Sequence, residues 1–126
     1  YREKEPTDIL RFIALRFVGR VKESGAIPII VFLPNWKDLK TFSESGETIY
    51  HDFYLDLKNN HYSHVYDALE YFAPHLEDGR DVSEFFISRI DGHYNPAGES
   101  VVAAGFSKTL IAIDQSEKRI GLGVGN

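Results

Sequence analysis

The sequence predicts an α/β fold with parallel strands, on three observations. Residues 8–24 carry apolar side chains at helical spacing and lead through a glycine into a short, continuously apolar stretch at 27–33. A second strand candidate lies at 62–66, and a helix-start signal, Asn95-Pro96, introduces a last amphipathic segment. Helix, turn and buried strand form the second half of a βαβ unit, in which the two strands run parallel. The first strand of that unit is not found among the 126 residues. The expectation is one domain over 1–126 whose fold is completed by an N-terminal segment or another chain.

The elements follow in order. Residues 1–6 are charged and end in Pro6, a lead-in, and Thr7 is placed as an N-cap. Ile9, Leu10, Phe12, Ile13, Phe17, Val18 and Val21 then predict a helix that Gly25 stops. The 27–33 stretch is rich in β-branched residues, as a strand buried on both faces would be, with Pro28 at its tolerant first residues and Pro34 ending it. Residues 35–47 read as a polar loop with a short helix at 36–42, and 48–59 as a helix presenting Ile49, Phe53 and Leu57. After the second strand, closed by Asp67, comes a short helix or turn at 68–76 interrupted by Pro74, then a loop at 77–81. Residues 82–90 are ambiguous, with Phe85, Phe86 and Ile87 expected to pack inward. Asn95 as N-cap and Pro96 at the first helical position start a helix with a stripe of Val101, Val102, Phe106, Leu110 and Ile111. That helix is expected to run to Ile113 and to leave a loose tail at 114–126.

Bulk properties exclude several classes. Hydrophobic content of 43% and charged content of 26% describe an ordinary globular chain. The net charge is −5 and the basic residues are scattered, which argues against nucleic acid and against a polybasic membrane patch. No apolar run approaches the roughly 20 residues of a membrane span. The absence of Cys excludes disulfides, Cys-ligated zinc and a thiol nucleophile, and leaves the compartment open, an extracytoplasmic one included. The chain begins at Tyr1 and holds no Met, so its N-terminus is expected to be processed or truncated.

One segment carries chemistry: Asp91-Gly92-His93-Tyr94-Asn95-Pro96-Ala97-Gly98. A hydrolytic His needs an exposed ring, an acid that fixes its tautomer and a rigid mount. In a loop, a carboxylate two residues before a His reaches its Nδ1–H and leaves Nε2 free as general base. Gly92 permits the tight turn, and the helix from Pro96 anchors the loop. Asn95 is read as that helix's cap and Gly98 as a close-packing position.

This octapeptide and the amphipathic helix after it resemble the last conserved block of SGNH/GDSL-type hydrolases. The match is to the subset, which includes alginate-acetylating relatives, that has Asp-x-His followed by an aromatic and Asn. It covers residues 89–110 well, and the piece ending Val31-Phe32-Leu33-Pro34 is similar to the family's penultimate region. The resemblance implies a flavodoxin-like three-layer α/β/α fold, a Ser nucleophile, His93 as base and Asp91 as its orienter. It implies ester hydrolysis or acyl transfer through an acyl-enzyme, with no metal or organic cofactor. The family's Gly-Asp-Ser, oxyanion Gly and Gly-x-Asn-Asp blocks have no counterpart here, and none of the serines follows a strand in a Gly-Asp-Ser context. The nucleophile is therefore expected outside this chain, on an N-terminal segment or second chain that also completes the fold. The 126 residues alone are expected to be inactive.

Other residues enter by position. Ligands in α/β sheets bind at the carboxyl ends of strands, which places Asn35 and Trp36 at the cleft as substrate-binding candidates. The substrate expected is a small-molecule or glycan ester. Alternatives are an O-acyltransferase acting on a glycan, and a non-catalytic domain binding a glycan through Tyr50, Phe53, Tyr54, Tyr62, Tyr66, Tyr71 and Phe72. A metal hydrolase using His61, His64 and Asp67 is disfavoured, because on a strand residues three apart point to opposite faces.

Overall fold

The computed structural model describes residues 5–121 except 61, 63 and 91. The fold is mixed α/β, mostly helical, with a parallel two-stranded sheet. In chain order it contains α1 (Pro6–Glu23), β1 (Ile30–Phe32), α2 (Trp36–Ser45), α3 (His51–Asn60), β2 (Val65–Asp67), α4 (Leu69–Glu77), a 3-10 turn (Val82–Phe85) and α5 (Pro96–Gly121). The strands pair as β1-β2. The chain divides into two compact units, one of residues 1–31 and 50–66 and the other of 32–49 and 67–126.

In the first unit, α1 starts one residue before the expected cap. Pro6 occupies the first turn and Glu5, not Thr7, is the N-cap. Proline has no N–H to satisfy there and its φ is already helical, so it starts the helix without a side-chain cap. Gly25 ends it at φ 80°. The Gly25 N–H donates to the Lys22 carbonyl and the Ala26 N–H to that of Val21, at 3.0 and 3.2 Å, the paired closure that a left-handed glycine allows. Arg11 pairs with Asp56 of α3 at 2.9 Å. Val18, Tyr54, Leu57 and Val65 are buried. Much of the apolar surface of α1 is exposed: Ile9, Leu10, Phe12, Ile13, Leu15 and Phe17, with Phe12 at 60%.

Both strands are shorter than expected. Only Ile30–Phe32 of the 27–33 stretch is strand, and its residues are half-buried rather than enclosed on both faces. A strand extends only as far as its partner, and β2 is also three residues long, shifted to Val65–Asp67. The pairing is carried by the Ile30 N–H to the His64 carbonyl and the Ala68 N–H to the Phe32 carbonyl, both at 2.9 Å.

In the second unit, the short helix expected at 36–42 within the polar 35–47 segment is present and longer, running Trp36–Ser45. Asn35 and Asp38 form a capping box, which satisfies two of the free N–H groups of the first turn. Gly46, at φ 84°, closes the other end. Leu39, Phe72, Val82, Phe85 and Phe86 form the core, with Trp36, Leu69, Leu76, Tyr94, Val101 and Val102 packed against it. Phe72 meets the edge of Phe85 at 5.3 Å and stacks on Tyr94 at 5.5 Å between ring centroids. Ile87, expected inward beside these two phenylalanines, is 71% exposed. Phe86 bridges Tyr94 in antiparallel fashion. Extended backbone alternates its side chains, so the inward turn of Phe86 sends Ile87 outward. Pro74 lies inside α4 without ending it. α5 continues past Ile113 to Gly121, so the first part of the expected tail is helical. Its charges lie at helical spacing, and Lys118 pairs with Asp114 four residues earlier at 2.9 Å.

Candidate functional site

The site is built where β1 ends. The chain leaves the strand through Leu33 and the fully buried Pro34, then turns into α2 at Asn35. The Asn35 side-chain oxygen accepts the Asp38 N–H at 3.0 Å, and Asp38 accepts the Asn35 N–H at 2.9 Å. The capping oxygen of Asn35 is thus committed to the helix. The rest of the side chain stays exposed.

The second wall is the segment from Phe85 to Gly98. Its two arms are tied by the Ile87 N–H to the His93 carbonyl at 2.9 Å and the Asn95 N–H to the Phe85 carbonyl at 3.0 Å. Asn95 does what its position suggested. Its side-chain oxygen accepts the Gly98 N–H at 3.0 Å, capping α5, and its amide donates to the Glu84 carbonyl at 2.7 Å. Gly98 is buried so tightly that a β-carbon there would lie 2.2 Å from the Phe85 carbonyl oxygen.

Two contacts between the walls place the loop. The Tyr94 hydroxyl donates to the Pro34 carbonyl at 2.5 Å. A β-carbon placed on Gly92 would lie 3.5 Å from that of Asn35. Gly92 itself sits at φ 65°, the left-handed region that a side chain disfavours. Burial raises the Tyr94 pKa well above the ordinary phenol value, and the charges of Asp38 and Asp67 add to it. The hydroxyl therefore stays protonated and remains a donor.

His93 follows Gly92 on this loop, with its side chain exposed and its backbone fixed by the bond from Ile87. Fixed backbone with an exposed imidazole suits proton exchange with an outside group. Asp91, expected to orient it, lies outside the described residues. Asn35 lies beside Gly92 of this turn. Trp36 is half-buried at the first position of α2. Its indole N–H is buried and has no acceptor among the described residues.

The remaining candidates are placed less favourably. His61 of the metal alternative lies outside the described residues, and the His64 ring stacks on Tyr66, with centroids 6.5 Å apart. Asp67 accepts the Leu69 N–H at 2.9 Å. Of the seven aromatics of the glycan alternative, Tyr54 and Phe72 are buried and the others half-buried. None of them presents an open platform.

Three residues of the site were missed from sequence. In the sequence Tyr94 is only one residue of a motif, whereas the Pro34 contact makes it the tie between the walls. Arg80 and Arg89 gave no signal, because they reach Phe85 and Trp36 only in the folded chain. The Arg80 guanidinium lies 4.6 Å over the Phe85 ring and that of Arg89 5.8 Å over Trp36. No family model, curated protein or solved structure matches this chain.

Proposed function

We propose that the chain carries the His–Asp part of a serine-esterase site of the SGNH/GDSL type, within a flavodoxin-like three-layer fold. The observation that supports this most is the mounting of His93. Its ring is exposed, its backbone is tied to Ile87, and its loop is anchored by the Tyr94 hydroxyl and the Asn95 cap.

In this reading His93 Nε2 takes the proton from a serine hydroxyl that lies outside these 126 residues. The serine oxygen attacks the acyl carbonyl of an ester, and the resulting tetrahedral intermediate collapses. The C–O bond to the alcohol breaks as His93 returns the proton to the leaving oxygen. An acyl-enzyme remains. His93 then deprotonates water, or a glycan hydroxyl if the protein is an acyltransferase; that oxygen attacks the acyl carbonyl, the bond to the serine oxygen breaks, and His93 returns the proton to the serine. Asp91 holds the Nδ1–H side of the ring and stabilises the imidazolium. The mechanism uses no metal or organic cofactor. Asn35, beside the turn, and Trp36 would border the bound ester.

Treating the full-length protein with a serine-directed fluorophosphonate tests this. Covalent labelling of one serine, lost in His93→Ala, is expected. A folded full-length protein that takes up no label would overturn the esterase reading in favour of a binding domain.

A further inference from the structure

A cavity of about 370 Å³ opens beside the site, lined by Trp36, Leu76 and Val82 and rimmed by Lys40, Arg80 and Arg89, with Asp81 as the one acid in its lining. That volume suits a compact small molecule. We infer that this cavity binds a small organic anion, with a carboxylate or phosphate held by Arg89 and its neighbours and the carbon body against Trp36.

The charges support this assignment. Lys40 Nζ lies 5.9 Å from the centre of the Trp36 ring and pairs with Glu44 at 3.0 Å. Arg80 lies over Phe85 and pairs with Glu84 at 3.5 Å, a long contact. Arg89 lies over Trp36 and has no carboxylate partner among the described residues. Asp81 caps the 3-10 turn, accepting the Ser83 N–H at 2.8 Å, and its single charge offsets only part of the rim. Its carboxyl is held below the usual range, first by the Ser83 hydroxyl and N–H and then by the charges of Arg89 and Lys40. The lining thus has three cations against one acid. A planar guanidinium on an indole face is positioned to accept an oxyanion in its fork.

This inference does not depend on the esterase reading, and the test keeps the two apart. Trp36 is the only tryptophan of these 126 residues, and a Trp36→Phe variant of the full-length protein identifies the part of the fluorescence that comes from this cavity. The full-length protein is titrated with glucose 6-phosphate, gluconate and neutral glucose. A saturable fluorescence change with at least one anion, and none with glucose, is expected, and the two anions distinguish phosphate from carboxylate. Arg89→Gln should weaken binding about tenfold or more, the loss of one charge-assisted bond. His93→Ala should bind as the parent does, whatever its effect on ester turnover. The inference is overturned if neither anion saturates, if glucose binds equally well, or if Arg89→Gln, shown folded by circular dichroism, binds unchanged.

Discussion

The Tyr94 hydroxyl donates a 2.5 Å hydrogen bond to the carbonyl of Pro34, sixty residues earlier in the chain. This bond joins the end of β1 to the loop that presents His93. Pro34 is fully buried, so its carbonyl has no ready replacement from water. Tyr94→Phe should lower stability by about 1–3 kcal/mol, the cost of a buried acceptor left unpaired. Urea denaturation at neutral pH measures this. An unchanged midpoint would mean that the bond contributes nothing.

The same hydroxyl predicts an alkaline effect. Burial holds the folded-state pKa of Tyr94 above the 10.0 of a free tyrosine. The unfolded chain therefore loses that proton first. Stability from this group is fully present below pH 10 and is lost as pH rises toward the folded-state value. Urea midpoints of the parent protein should fall above pH 10 more steeply than those of Tyr94→Phe. Equal slopes would contradict the assignment.

Mounting of the loop predicts two further losses. Asn95→Ala removes the cap of α5 and the donor to the Glu84 carbonyl, and should cost at least about 1 kcal/mol. Gly98→Ala drives a methyl group into the Phe85 carbonyl and should cost about 1–3 kcal/mol. Thermal melts of both variants check this. If Gly98→Ala melts with the parent, the packing described between α5 and Phe85 is wrong.

The role of Asn95 is legible in the sequence because its information is local. Asn-Pro before an apolar stripe starts a helix wherever it occurs, and Gly25 likewise stopped α1. α2 was read too short because its start lies in the reciprocal bonding of Asn35 and Asp38, hidden in a run of polar residues. The inward expectation for Ile87 failed because strand alternation depends on the pairing of Phe86 with Tyr94, a contact set by the tertiary fold. The cationic rim on Trp36 was illegible for the same reason: its members come from α2, the residues after α4, and the loop before Gly92.

Exposure of Ile9, Phe12, Ile13 and Phe17 on α1 motivates another expectation. An apolar helix surface of this kind is ordinarily covered by further polypeptide. We propose that an N-terminal segment or a second chain does so. The 126-residue chain expressed alone should self-associate or unfold without a cooperative transition. Sedimentation and urea denaturation decide this, and a monomer with one sharp transition would refute it.

The central claim is that His93 is the general base of an ester-cleaving site. Turnover of p-nitrophenyl acetate by the full-length protein, with and without His93→Ala, tests it most directly. The variant should remain folded, with an unchanged circular dichroism spectrum, because the His93 side chain is exposed and only its backbone is tied to Ile87. Its kcat/KM should fall by at least about a thousand-fold. A folded His93→Ala protein that turns over the ester at the parent rate would contradict the account.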